Sequence, residues 1–474
     1  MIRSTPGIGV FVTEAPTAAF ARLVRRDPPR RTPVLFDTVC VLGGSIAGLL
    51  AARVLADHSR ELVIVERDHL EPAVSPRPGT PQDRQVHGLL PGGLAQLERW
   101  IPGITQDIRS LGGVVLTSQE VDMYVDGVEQ LQSGDTSLLQ CSRPLLESAL
   151  RRRVLALPNV SALSAQATGL TYRDDAVSAV RYVTEGAERE MAVDFVVDAM
   201  GRASKLSDWL EQGGYTRPTL HRMQTGVHYA TAMFDRSGTD LDLRFTGARF
   251  PMLPGPGGLS VGLITPIEDD QWMIGLTVYG DSQPPRTLEE FRSLCDKLPE
   301  PFGKAASGTV TREVLTFRQA DSRRRDFTGL TRFPARVVSV GDAAISLNAT
   351  YAQGMSSAAL HASCLSEYLG GEPDLAAPAE TYFSLQKTAM DAVWAVSAGA
   401  DAARTEILQG IEVPDEVQRQ RWKMGQLALA SATDETVAEA LKAVGYMFAH
   451  PDTLTDPALI ERAVAVNRRV TAGG

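Results

Sequence analysis

Apolar residues along this chain fall into short strand-length runs broken by a few helical stretches, then take up mostly helical spacing from Gln353 to the end. The sharpest pattern is Phe36–Arg67, FDTVCVLGGSIAGLLAARVLADHSRELVIVER. A β-branched and apolar run, Thr38–Leu42, meets a small-residue cluster, Gly43-Gly44-Ser45-Ile46-Ala47-Gly48. Leu49–Asp57 follows with helical composition and apolar residues at 49, 50, 54 and 55. A second apolar run, Leu62–Val65, is closed by Glu66. Strand, glycine turn, helix and strand in this order predict a βαβ unit that binds a dinucleotide at the amino end of its helix.

Each position has a physical job. Gly43 permits the sharp turn out of the strand, and Gly48 lets helix and strand pack closely. The middle glycine of the usual fingerprint is Ser45 here, small enough for phosphate to approach and able to offer a hydroxyl. Free N–H groups of the first helical turn, with the helix dipole, face the phosphates. Glu66, 18 residues after Gly48, has the spacing of an acid that accepts adenosine ribose hydroxyls. An ordinary glycine-turned crossover is the structural alternative.

Further along, Leu89–Trp100 and Arg143–Ala156 read as helices, and Val160–Val183 as a strand meander turning at Arg173-Asp174-Asp175. Met191–Val197 reads as one buried strand. Gly226–Phe234, Arg244–Phe250, Leu259–Thr265 and Gln271–Tyr279 read as successive strands of a sheet. Thr287–Leu298 has a threonine cap and two acids in its first turn. Val314–Phe317 and Arg336–Val340 read as strands. The long segment Asp68–Gly88 is rich in Pro, Arg and Gly and has no apolar period, the mark of a functional loop.

Composition narrows the classes. The chain has 474 residues, 43% hydrophobic and 22% charged, with a net charge of −10. No basic patch points to nucleic acid, and no apolar run reaches the roughly 18 residues of a membrane span. The amino terminus lacks a secretion pattern. The four cysteines (Cys40, Cys141, Cys295, Cys364) show no metal spacing and read as reduced thiols, so a cytoplasmic location is expected.

Two later motifs carry chemistry. An apolar strand runs into Asp198-Ala199-Met200-Gly201-Arg202-Ala203-Ser204. Val337–Met355, VVSVGDAAISLNATYAQGM, reads as a strand ending in Gly341-Asp342, then a helix opened by Gln353-Gly354-Met355. A carboxylate at a strand's end can bond a polyol chain, and the free N–H groups of the helix start stabilise nearby negative charge. These motifs, with VER at 65–67, RPGTPQ at 77–82, HGLL at 87–90 and SRPLLE at 142–147, give the chain its resemblance. It resembles the FAD-dependent monooxygenases of the para-hydroxybenzoate hydroxylase fold. Within them it is most similar to the squalene-epoxidase-like flavin epoxidases of polyether ionophore biosynthesis.

The resemblance implies an α/β (α+β) architecture: a Rossmann-like FAD-binding domain, a substrate domain on an antiparallel or mixed β-sheet, and a C-terminal helical region. The implied division is an extension at 1–34, the FAD domain at 35–215 and 311–370, the substrate sheet at 216–310, and helices at 371–474. FAD would lie on Gly43 to Gly48, with Glu66 and Arg67 at the adenosine. Ala167 would pack by the adenine. Arg77 and Arg143 would reach the pyrophosphate or ribityl chain, and Asp342 would bond the same region. Gln353, Gly354 and Met355 would underlie the isoalloxazine. His87 fits a structural or a functional role equally.

The implied chemistry is epoxidation of a linear polyene or polyketide by a flavin C4a-hydroperoxide, formed from reduced FAD and O2, with no metal and no indispensable acid or base. Aromatic or polyketide hydroxylation and isoprenoid reduction are the alternatives. Met200 replaces the Asp of an Asp-Gly pair found in relatives that take NADPH directly. The reductant is therefore NAD(P)H used directly or through a separate flavin reductase. Ile345, Ala349 and Ala352 also depart from the family's His, Pro and Gly. Phe234, Phe250, Met252, Trp272 and Met273 are candidate lining for an apolar substrate, though apolar residues at strand spacing are usually plain core.

Overall fold

In the computed structural model, which describes residues 14–29, 32–70, 74–132, 134–251 and 253–473, the apolar run of the fingerprint is the middle strand of a five-stranded parallel sheet. The strand order is Val337–Ser339, Phe195–Asp198, Phe36–Leu42, Ser59–Glu66, Val160–Ser164. Parallel strands are covered on both faces and read as continuous apolar runs; Val39 to Leu42 are accordingly buried to the last atom. The fingerprint helix, Ile46–Ala56, packs against the sheet and against the 18-residue helix Gln353–Gly370. A three-stranded antiparallel meander (Gln166–Arg173, Ala176–Thr184, Ala187–Ala192) also packs on this sheet.

A second, eight-stranded sheet is mixed. Its order is Ile345–Ser346, Val310–Asp326, Thr219–Asp235, Gln271–Tyr279, Leu259–Ile267, Phe245–Arg249, Val121–Val125, Val128–Glu129. Only the pairing of Phe245–Arg249 with Val121–Val125 is parallel. Helices Leu288–Cys295 and Glu300–Ala306 cover one face, which we call outer. The inner face meets the loops around residues 85 and 348. There the Thr231 hydroxyl donates to Gln85 Oε1 at 2.7 Å and the Tyr229 hydroxyl to Asn348 Oδ1 at 2.9 Å.

The α/β class with a C-terminal helical region is as expected; helices Glu380–Gln409, Asp415–Ala430, Glu435–Gly445 and Pro457–Gly473 form that region. Two local expectations fail for physical reasons. Met191–Val197 is not one strand: the chain changes sheets at Val193–Asp194, where the Asp194 carboxylate accepts the N–H groups of Asp37 and Thr38, each at 2.9 Å. Val314–Phe317 is the core of a 17-residue strand, Val310–Asp326, paired along Thr219–Asp235. Residues 311–326 therefore lie in the large sheet, although the sequence suggested a return to the FAD domain at 311. Within the first 34 residues, Pro16–Leu23 is a helix anchored by buried Phe20 and Leu23. No helix among the described residues is long and apolar enough to cross a membrane.

Candidate cofactor site

The three motifs meet at the carboxyl ends of the parallel strands. Gly43 adopts φ +109°, and a Cβ there would sit 2.4 Å from the Ala199 carbonyl oxygen. A Cβ on Gly48 would sit 1.8 Å from the Gly43 carbonyl oxygen. Gly341, at φ +57°, lies against Ala47 in the same way, 2.5 Å from a built Cβ to that side chain. Backbone bonds Ala199 N–H to Leu42 O and Val340 N–H to Asp198 O, both 2.8 Å, lock the motifs together. Glycine is needed at these points because backbone or a neighbouring Cβ occupies the space of a side chain.

Charge gathers at this junction. Glu66 Oε2 accepts the Gly44 N–H at 2.8 Å. Glu147, buried on the helix Arg143–Leu155, is the hub. It accepts the Ser45 hydroxyl at 2.6 Å, Arg77 Nε at 2.8 Å and Arg151 Nη2 at 2.8 Å. Arg77 also reaches Asp68 at 3.0 Å. Arg143 pairs with Asp83 at 2.8 Å and donates to the Ser45 hydroxyl at 3.1 Å. Burial pulls the Arg77 pKa down, but Glu147, Glu66 and Asp68 more than offset that and hold it above its ordinary value. Burial raises the Asp83 carboxyl against the pull of Arg143. Burial, reinforced by Arg143, drops His87 to about 3, so its ring is neutral near pH 7. Arg67 is exposed, and Ala167 lies two residues beyond Ala165, whose N–H donates to Glu66 O at 2.9 Å.

At the other end, burial raises the Asp342 carboxyl, opposed by Arg143 and Arg202. Among the described residues its one side-chain hydrogen bond comes from Ser346 at 3.4 Å. Ala352 takes a left-handed φ of +54° and starts the helix Gln353–Gly370 with no capping side chain. The first-turn N–H groups therefore keep no side-chain acceptor. Gln353 Oε1 and Ser357 Oγ are buried there without partners.

A family model described as an FAD binding domain matches residues 37–380. Protein Rv3254 of Mycobacterium tuberculosis (strain ATCC 25618 / H37Rv) is 35% identical over 345 residues, covering 69% of this chain and 71% of that protein. The chain belongs to this FAD-binding family.

Solved structures support the fold. The flavin-dependent brominase Bmp2 has a TM-score of 0.62 at 15% identity, covering 92% of this chain and 99% of its own. PqsL of Pseudomonas aeruginosa, a probable FAD-dependent monooxygenase, gives 0.60 at 19%, with 78% and 96% covered. The p-nitrophenol 4-monooxygenase PnpA of Pseudomonas putida DLL-E4 gives 0.58 at 18%, with 88% and 100% covered. The fold is that of the FAD-dependent monooxygenases of para-hydroxybenzoate hydroxylase type.

The junction fits FAD on its own terms. It brings together a tight glycine turn, the carboxylates Glu66 and Asp342 at two strand ends, and an uncapped helix start with buried unpartnered polar atoms, groups that would suit a pyrophosphate, polyol hydroxyls and a flavin. A cleft of about 300 Å³ beside Glu66 is lined by Asp68, His69, Ser75, Pro76, Arg77 and Arg151. A larger hollow of about 470 Å³ lies by Asp37, Thr38, Arg173 and Asp194, at the opposite ends of the strands. Open parallel sheets bind cofactors at their carboxyl ends, so the hollow is not the site. Sequence reasoning missed Asp83 and Glu147. The signal was present for Glu147: a lone acid one turn after Arg143, between Leu146 and Leu150 on a helix that reads as buried.

The substrate candidates divide. Phe234 and Trp272 face each other across paired strands and are fully buried in the outer core with Phe291 and Phe302. Phe250 is half-buried against the same core. These three are packing, as apolar residues at strand spacing usually are. Met273 is also buried but has the opposite parity, one residue from Trp272, and points to the inner face. Met252 lies outside the described residues. Met355 is buried at the start of its helix.

Proposed function

We propose that the protein is an FAD-dependent monooxygenase that transfers one oxygen atom of O2 to an apolar, alkene-bearing substrate and epoxidises it. The substrate class is a linear polyene or polyketide, and NAD(P)H supplies electrons directly or through a separate flavin reductase. The observation that carries this reading is the inner face of the large sheet. One cross-strand row there reads Met123, Gly247, Leu263, Gly275, Thr231, Leu315. Met123, Leu263 and Leu315 are half-buried, and Phe317, two residues along the strand from Leu315, has the Tyr229 ring 6.3 Å away. The space over the two glycines is filled by neighbours, Val86 at Gly275 and Met123 at Gly247, so the apolar surface continues across them.

Bound FAD supplies the activation of O2; the chain's part is to hold it, orient a substrate and keep water out. The glycine cradle and Asp342 hold the cofactor's length. The apolar row offers an alkene a dry surface, where burial contributes about 25 cal/mol per Å² of apolar area. To test this, the FAD-loaded protein is given NADPH, air and a polyene alcohol such as farnesol, with and without added flavin reductase. The expected product is one oxygen heavier and lacks one alkene. A product two hydrogens heavier, or NADPH consumption that ignores the polyene, contradicts the reading.

A further inference from the structure

A buried polar cluster lies between the inner face and the loop that precedes the Gln353 helix. Asp401, 2% exposed, projects from the long helix Glu380–Gln409. Its carboxylate accepts the Tyr351 hydroxyl at 2.8 Å, the Tyr279 hydroxyl at 3.1 Å and Asn348 Nδ2 at 2.9 Å. Asn348 Nδ2 also donates to the Tyr279 oxygen at 2.7 Å. Asn348 Oδ1 accepts the Tyr229 hydroxyl at 2.9 Å and the Thr350 N–H at 3.0 Å. The Arg404 guanidinium lies 4.4 Å over the Tyr279 ring and donates to the Phe250 carbonyl.

Counting donors and acceptors shows what is left over. The Asn348 amide uses both of its N–H groups and both lone pairs of its oxygen. Tyr351 donates its one proton to Asp401, so its oxygen keeps lone pairs to accept, whereas the Tyr229 oxygen already faces the Ala349 N–H and the Thr350 hydroxyl. Tyr229, Tyr279 and Tyr351 are half-buried as residues, with their hydroxyls turned inward to the cluster. The Thr350 hydroxyl is buried and turned toward the Tyr229 and Tyr279 oxygens, and among the described residues it makes no well-aligned hydrogen bond. A buried hydroxyl without a partner costs about 1–3 kcal/mol, which a ligand's hydrogen bond would remove. Burial raises the Asp401 pKa, against the pull of its three donors and of Arg404.

We propose that Tyr351 and Thr350, held by Asn348 and Asp401, form a subsite for a hydroxyl group of the substrate. The Tyr351 lone pairs accept a hydrogen bond that an alcohol or enol can give and an ether cannot, so the subsite favours an alcohol or enol over an ether. The buried carboxylate behind them disfavours a second anion, so a carboxylic acid is rejected. This rests on the oxygenase reading and deepens it: the substrate is an apolar chain with an oxygen-bearing end, whose hydroxyl anchors in the cluster while the chain lies against the apolar side chains of the inner face beside Phe317. Asp401 and Asn348 are positioning residues in this arrangement.

The test titrates the FAD-loaded protein with farnesol, farnesyl methyl ether and farnesoic acid, following the flavin absorbance change. Farnesol is expected to bind about tenfold tighter than the other two, the value of one hydrogen bond near 1.4 kcal/mol. Tyr351→Phe and Thr350→Val should bring the alcohol-to-ether ratio close to one. Asp401→Asn should strengthen farnesoic acid binding about tenfold, which loss of a merely structural residue would not do. Flavin content and melting temperature check folding, and if Asp401→Asn does not fold the other two variants carry the test. Equal binding of alcohol and ether by the native protein, a ratio that survives both variants, or no binding of farnesol up to its solubility overturns the subsite. Oxygen transfer is scored separately. Alcohol preference without a heavier product refutes the oxygenase reading alone, and a heavier product without alcohol preference refutes the subsite alone.

Discussion

Substituting Glu147 by Gln tests whether the buried hub organises the FAD junction. Gln keeps the size and one acceptor oxygen but removes the charge that faces Arg77 at 2.6 Å and Arg151 at 2.8 Å. All three side chains are buried, so water does not replace the lost partner. Removing one partner of a buried ion pair costs about 3–5 kcal/mol, and the retained hydrogen bonds place this case near 3. A chain of this length has an unfolding entropy of about 1 kcal/mol/K, so the FAD-free protein should melt about 3 °C lower. On the proposed site, the phosphates of bound FAD would face the released arginines, and the loss should shrink. Differential scanning calorimetry of FAD-free and FAD-loaded protein measures both. A loss below about 0.5 °C, on the order of the scatter for a surface change, or an equal loss with and without FAD, would refute the reasoning.

Other outcomes follow from the same geometry. Phe234→Ala should destabilise the protein by about 3–5 kcal/mol and leave farnesol affinity unchanged, because its ring belongs to the outer core. Leu315→Trp should do the reverse, weakening farnesol binding with little change in melting temperature; paired ligand titrations and melts separate the two. Acid should unfold the protein partly through His361, which is fully buried, accepts the Gly341 N–H at 2.9 Å, and is pushed down to about 3 by burial. Its unfolded form takes a proton below about 6.5 while the folded form does not. Its contribution is therefore complete above about pH 6.5 and is lost as pH falls from there toward 3. Melting temperature against pH should fall less steeply in His361→Gln; parallel curves would contradict this.

Much of the fold was legible because its rules are local. The glycine turn, the apolar strand and the closing acid are contiguous in sequence, and the structure brings Gly43, Gly48, Glu66, Asp342 and Gln353 to one end of one sheet. What stayed hidden depends on side chains meeting across long separations. Asp194 splits an apolar run because it reaches Asp37 and Thr38, 157 and 156 residues away. The polar second half of Val310–Asp326 hides a strand, because half-buried Phe317 and Gln319 alternate there with exposed Arg318 and Ala320, and neither face is uniformly apolar. Parity explains the misplaced substrate residues. Phe234 and Met233 look alike in sequence, and only the helices laid on one face of the sheet decide which is core. Asp401 was invisible for the same reason: it lies 50 residues from Tyr351 and 122 from Tyr279.

The central claim is that this junction transfers oxygen from O2 to an alkene. The direct measurement is the product mass after turnover of farnesol by the FAD-loaded protein and NADPH, with flavin reductase present, under isotopically heavy O2 in ordinary water. One heavy oxygen per product, at the position of a lost alkene, is the outcome this account requires. A product whose oxygen comes from water, or an unaltered polyene beside accumulating hydrogen peroxide, would contradict it.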